Sequence, residues 1–341
     1  MRRVGGKRIW LLLVAGLFFV ALTECTRLPT LPSSSTAVVA LADSLSGFPL
    51  ADVPVQVNGS LTVTDSLGQV TVQVDSVQAV LNVFPYEPVS FKLRAGDWRK
   101  VPLALPTRLR RYERLLLEAR RRGYALVGVY EWWKRRQELA DSRFVILRHD
   151  VDYDPQTAKA MAFIERLLGA RSTFYFRWVT EERDAVEYVK RAGHEVGLHY
   201  ETLALYCEAH NISRPDKVTE PVLARCRLLL KQEIARFEEA FGDIHSIASH
   251  GAERNRVLGI PNSVLTSGQD LATFGVEVDA SLLEGHLQQL GIDVFTADSG
   301  NRWKPMPVTA ALRKGFAGIY VLMHPCWWRP KQWGPFAIYR P

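Results

Sequence analysis

The sequence predicts an α/β fold in which a parallel sheet alternates with helices, open or closed into a barrel, behind a small all-β sandwich. Three observations predict it. Residues 36–105 carry short alternating runs (VPVQV, SLTVT, QVTVQV) divided by turn signals at Asn58-Gly59 and Asp65-Ser66-Leu67-Gly68, the period-two pattern of antiparallel strands. From Pro106 onward, apolar runs too short for helices alternate with segments of helical period. One of those runs, Phe144–Leu147, gives way abruptly to Arg148-His149-Asp150-Val151-Asp152, and charge at the end of an apolar strand lies where parallel α/β folds keep their sites.

Taken in order, the chain opens with the basic stretch Met1–Arg8, the apolar run Ile9–Leu22 and then Cys25. The run is shorter than the ~20 residues a membrane span needs and suits the core of a signal peptide. Residues 1–25 therefore read as a lipoprotein leader with a lipid-modified Cys25, or as an uncleaved membrane anchor. Both place the rest of the chain outside the cytoplasmic membrane, on its periplasmic or cell-surface side. Residues 26–35, rich in Pro and Ser, read as a tether. Residues 36–105 form the sandwich, a spacer or a glycan-adhesion module, and 106–341 the parallel α/β domain.

The formal charge of +7 is carried in part by Arg2, Arg3, Lys7 and Arg8 and by the arginines of residues 107–123. No nucleic-acid reader motif accompanies them, so no nucleic-acid partner is expected and a solvated helix face accounts for the second group. The four cysteines show no paired metal-site spacing, and Cys207, Cys226 and Cys326 read as buried free thiols, with a Cys207–Cys226 disulfide as the alternative in an oxidising compartment.

Within the α/β part, Thr107–Gly123 is a predicted helix, Tyr124–Val129 a short strand and Glu131–Ala140 a helix. The central strand follows, then a helix from Gln156 to Leu168 and the aromatic strand Ser172–Arg177. A helix from Glu181 precedes the strand HEVGLH. Thr219-Glu220-Pro221 is a helix start, with a hydroxyl at the N-cap. Further strands are HSIASHG, GVEVDAS, IDVFTADS and GIYVLMHP.

Strand side chains alternate, so Arg148, Asp150 and Asp152 share one face and His149 and Val151 take the other. Two carboxylates that close repel unless a cation or proton lies between them. The later strands end in His199, His250, Asp298 and His324, and strand ends of a parallel sheet converge. Histidines plus a carboxylate suit zinc or another divalent transition metal. By the same parity His194 and His245 turn away from His199 and His250 into packing or surface roles, and His210 and His286 fall outside the strands.

The ordered series LRHDVDYDPQTAKAMAFIERLLGARSTFYFR, GHEVGLHYET, SHG, DAS, ADSGNRW and LMHP resembles the polysaccharide deacetylases of the NodB-homology family, in the divergent branch with His-Asp-Val-Asp. The resemblance runs from Pro106 to the C-terminus and implies a distorted (β/α) barrel with a metal at its mouth. It implies Asp150 as catalytic base, Asp152 and His199 as metal ligands, and His324 as general acid. Asp298 and Trp303 resemble the residues that orient this histidine and wall the acetyl pocket. The family's second histidine, four residues after the first, is Leu203 here, and His250 is the expected replacement ligand, ahead of Glu201. Arg148 is expected to hold Asp150 ionised. Trp303, Trp327 and Tyr200 are assigned to the substrate. The implied activity is an exported hydrolase, dependent on a divalent metal with zinc expected, that removes N- or O-acetyl groups from a polysaccharide or cell-envelope glycan. The alternative is a catalytically silent glycan-binding protein on the same fold. In the sandwich, Thr64–Val70 is similar to carboxypeptidase-regulatory-like and bacterial Ig-like modules.

Overall fold

The computed structural model describes residues 35–74 and 78–335. The leader or anchor of residues 1–25, Cys25 and nearly all of the 26–35 tether lie outside the described residues. Among the described residues no helix is long and apolar enough to cross a membrane.

Seven strands precede Pro106: β1 (Thr36–Asp43), β2 (Pro54–Val57), β3 (Ser60–Val63), β4 (Gln69–Gln73), β5 (Gln78–Asn82), β6 (Val89–Lys92) and β7 (Trp98–Leu103). They form two sheets, in the order β4-β1-β7 and β3-β2-β5-β6. Alternate residues of β2 and β5 are buried, which is what the alternating runs require. One departure concerns pairing. β7 lies parallel to β1, with Val38 opposite Trp98 and Asp43 opposite Leu103, so the first sheet is mixed rather than antiparallel. Side-chain alternation is the same for both pairings, and the sequence pattern does not distinguish them.

The rest of the chain begins with α1 (Thr107–Arg121), β8 (Ala125–Val127), α2 (Val129–Arg135), β9 (Phe144–Val151), α3 (Pro155–Leu167) and β10 (Thr173–Phe176). It continues through α4 (Arg183–Arg191), β11 (Glu195–Tyr200), α5 (Thr202–Ala209), α6 (Glu220–Phe241), β12 (Ser246–Ser249) and α7 (Glu253–Leu258). The last elements are β13 (Val278–Asp279), β14 (Val294–Ala297), α8 (Val308–Lys314), β15 (Gly318–Met323) and the single turn α9 (Pro325–Trp328). The strands lie side by side in the order β13-β12-β11-β10-β9-β15-β14, with β8 also paired to β9. Every pair is parallel, so all C-terminal strand ends open on one side of a curled sheet.

The two faces of this sheet differ. Phe144, Ile146, Tyr175, Ala248 and Tyr320 pack together on the concave side. Val145, Leu147, Phe174, Leu198, Tyr200, Ile247 and Ile319 face the helices, in one core continuous with that of the first two sheets. Gly197 of β11 is needed for a close approach, since a Cβ there would stand 2.3 Å from the Ser246 carbonyl oxygen.

Element boundaries shift where distant side chains intervene. α2 starts before the predicted Glu131, because the Glu195 carboxylate accepts the backbone N–H groups of Tyr130 (2.9 Å) and Glu131 (2.6 Å) and so caps the helix from another strand. Thr219 occupies the N-cap of α6 but makes no side-chain capping bond. GVEVDAS contributes only the two-residue β13, because the Asp279 carboxylate accepts the Ser281 N–H at 2.9 Å and turns the chain. Cys207, Cys226 and Cys326 are free and buried.

Candidate metal centre

The site begins inside β9. Arg148 and Asp150 share the concave face, as strand parity requires, and both are buried. Arg148 Nε donates to Asp150 Oδ1 and Nη2 to Oδ2, each at 2.8 Å. Its Nη1 reaches Tyr320 Oη and Glu284 Oε1, both at 3.3 Å. Burial alone raises the Asp150 carboxyl, but the Arg148 guanidinium, and next to it His199, hold it below the usual carboxylate range.

The first residue beyond β9 is Asp152, beyond β12 is His250, and His199 lies on the concave side of β11. These three bring one ligand atom each to within 4.8 Å of one another. His199 Nδ1 lies 3.1 Å from the Ala248 carbonyl oxygen. A carbonyl only accepts, so Nδ1 carries a proton and Nε2 is the nitrogen turned towards the carboxylates. That Nε2 is 3.3 Å from Asp152 Oδ1 and 3.4 Å from Asp150 Oδ2. His250 Nδ1 lies 2.8 Å from Glu201 Oε1, and its Nε2 is 3.7 Å from Asp152 Oδ1. Asp152 Oδ1 is buried and has no hydrogen-bond partner. Burial raises the Asp152 carboxyl, yet the imidazoles of His199, His324 and His250 outweigh that and hold it well below the usual carboxylate range. An unpartnered carboxylate oxygen thus faces two imidazole nitrogens, a donor set that fits a divalent cation of the zinc type.

His324 follows β15 on the opposite side of Asp152, with Nε2 at 3.8 Å from Asp152 Oδ2. Its Nδ1 and its backbone N–H both meet Asp298 Oδ1, at 2.7 and 3.0 Å. Trp328 Nε1 donates to the other oxygen of Asp298 at 2.9 Å. Burial works against a charge on His324, but Asp298, followed by Asp152 and Asp150, lifts its pKa to about 9.

Leu203 sits in the first turn of α5 and is fully buried in the helix-side core, away from the cluster. His250 reaches it from β12. Glu201 is not aimed at the cluster as a ligand, because Arg177 Nε and Nη2 occupy its two oxygens at 2.8 and 3.0 Å.

The residues assigned to substrate divide. Trp327 lines the cavity of about 1240 Å³ that holds Asp150, Asp152, His199, His250 and His324. Trp303 is half-buried and packs edge-on against Trp328, with ring centroids 6.4 Å apart, so it supports the site from behind. Tyr200 does not belong to the site. It lies on the helix side of β11, 1% exposed, and donates its hydroxyl to Asp279 at 2.6 Å; one step from His199 along a strand reverses the face. His194 and His245 are likewise outside the site. His194 is buried against Ser172 and the Ala162 carbonyl, and His245 stacks on Tyr130 at 4.3 Å. Arg177, Glu284 and Tyr320 were not expected at the site, although Arg177 is the first residue after β10, the same position that marks Asp152 and His250.

No family model matches the chain, and no curated protein matches it. Among solved structures, a CE4 family pseudoenzyme from Bacillus anthracis is similar over 55% of this chain and 56% of its own, with 16% identity and a TM-score of 0.32. A mutant of that pseudoenzyme with restored enzymatic activity is similar over 55% of this chain and 58% of its own, at 17% identity and a TM-score of 0.31. The 5-hydroxyisourate hydrolase of Klebsiella pneumoniae is matched over 90% of its length by 21% of this chain, at 17% identity and a TM-score of 0.18. The chain spans less than three fifths of each of the two CE4 structures.

Proposed function

We propose that this chain is a metal-dependent hydrolase that removes acetyl groups, N-linked or O-linked, from a cell-envelope glycan. The observation that carries the reading is the convergence of Asp152, His199 and His250 on one point, between Asp150 on one side and His324 on the other. Those three side chains would hold a divalent cation, zinc by the chemistry of the donors, which would supply Lewis acidity towards the acetyl carbonyl and towards water.

The chain's own residues do the rest. Asp150, kept ionised by its two-point pair with Arg148, accepts the proton of the attacking water. His324 carries the proton that the departing amine or alcohol needs, and Asp298 fixes both its charge and its direction. Trp328 in turn fixes Asp298. Trp327 offers the sugar an apolar wall. The basic and apolar start of the chain supports export and attachment at the membrane, and residues 36–105 a spacer ahead of the catalytic domain at 106–341.

The experiment is acetate release from acetylated glucosamine oligomers and from O-acetylated polysaccharide by the zinc-loaded chain, beside its Asp150→Asn variant. Release by the first and not the second supports the reading. Leu203 at the family's second histidine favours a second reading, a silent glycan binder. Glycan binding with neither zinc uptake nor acetate release would establish it.

A further inference from the structure

The residues around His250 form a relay of their own. Glu201 is the first residue beyond β11 and Arg177 the first beyond β10. Both are buried, at 6% and 2% exposure. Arg177 grips both oxygens of Glu201, and its remaining nitrogen Nη1 donates to the Asp152 backbone carbonyl at 3.0 Å. Glu201 Oε1 then meets His250 Nδ1 at 2.8 Å. A carboxylate can only accept, so this bond places a proton on His250 Nδ1 and turns Nε2 towards Asp152 Oδ1, 3.7 Å away. The other face of the arrangement is fixed as well, since Asn262 Nδ2 donates to the His250 backbone carbonyl at 2.7 Å.

Resting on the metal reading above, we propose that Glu201, clamped by Arg177, is the positioning residue that makes His250 a ligand. It selects the tautomer, holds the ring and raises the basicity of Nε2. Through its bond to the Asp152 carbonyl, Arg177 ties the same relay to a second ligand. The chain thus replaces one histidine of a local motif with three residues from three strand ends.

Two measurements test this. In the metal-free protein, 15N NMR of the His250 ring is expected to show the proton on Nδ1. A ring protonated on Nε2 instead would overturn the proposal. In the second, zinc affinity is measured by competition with a chromophoric chelator. Glu201→Ala is expected to weaken zinc binding by roughly 10–100-fold, the range of outer-shell carboxylates, and to leave one zinc per chain. Because Glu201→Ala strands a buried guanidinium, the double variant Arg177→Met/Glu201→Gln is measured beside it at matched thermal midpoint. Unchanged affinity in both variants would overturn the proposal, as would complete loss of the site in both, since that marks Glu201 as a ligand. A wild-type chain with His250 protonated on Nδ1 that takes up no zinc would overturn the metal reading while leaving the Glu201–His250 relay standing.

Discussion

Arg148 and Asp150 leave the same strand two residues apart and meet as a two-point ion pair, Nε to Oδ1 and Nη2 to Oδ2, with both side chains nearly inaccessible. In a straight strand their side chains point the same way, and no turn or loop is needed to join them.

That pair fixes how the proposed base responds to substitution. Asp150→Asn keeps the shape and a hydrogen bond but cannot take a proton. Acetate release is expected to fall by about 10²–10⁴-fold, the usual contribution of a general base, while zinc affinity measured by chelator competition stays as in the parent chain.

Removing the other partner acts on the fold. Arg148→Met leaves a carboxylate buried without its cation, and the loss expected in urea denaturation is about 3–5 kcal/mol. A change below 1 kcal/mol would mean that water or another cation compensates Asp150.

His250→Ala removes a ligand rather than its support. Zinc affinity is expected to drop by more than the roughly 100-fold ceiling of an outer-shell change. His194→Ala, on the helix side of the same sheet, is expected to leave affinity unchanged. Retention of full zinc by His250→Ala would return the vacancy at Leu203 to the centre of the problem.

The contact between α1 and the first sheets carries a pH dependence. Burial, and after it the Asp43 carboxylate, raises the Glu113 pKa from 4.5 to about 9 against the opposing charges of Arg110 and Arg114. The folded chain therefore holds a proton there that the unfolded chain releases, and stability falls as pH rises from about 5 towards 9. Glu113→Gln never ionises, so its thermal midpoint is expected to gain on that of the parent chain across this window. Parallel midpoint curves for the two would refute it.

A charged group under α3 separates scaffold from site. Glu165 accepts from Tyr112 and from Ser172 (2.6 Å), and lies 2.7 Å from His149 Nε2. His149, and after it His194 and Ser172, hold its carboxyl below the usual range although burial alone would raise it. Glu165→Leu is expected to cost about 3–5 kcal/mol in denaturation experiments without altering zinc affinity.

How much of this was legible in the sequence depends on what each residue answers to. Asp150, Asp152, His199, His250, Asp298 and His324 were visible because a strand's apolar run stops at them, and chain geometry then brings strand ends together. Arg177 and Glu201 stand at equivalent places but carry no metal-site signature, and only the fold shows that they pair. Tyr200 was misassigned for want of the parity argument already applied to its neighbour. The parallel pairing of β1 with β7 and the capping of α2 by Glu195 depend on segments far apart in the chain, and no local pattern encodes them.

β15 is the last strand among the described residues, and it pairs with β9 from Gly318↔Phe144 through Met323↔His149. Until β15 is added, β9 has one flank bare, Arg148 lacks its Tyr320 partner and His324 has not reached Asp152. On the hydrolase reading, the proton donor His324 and the tryptophan that braces Asp298 therefore come last along the chain, with residues 318–328.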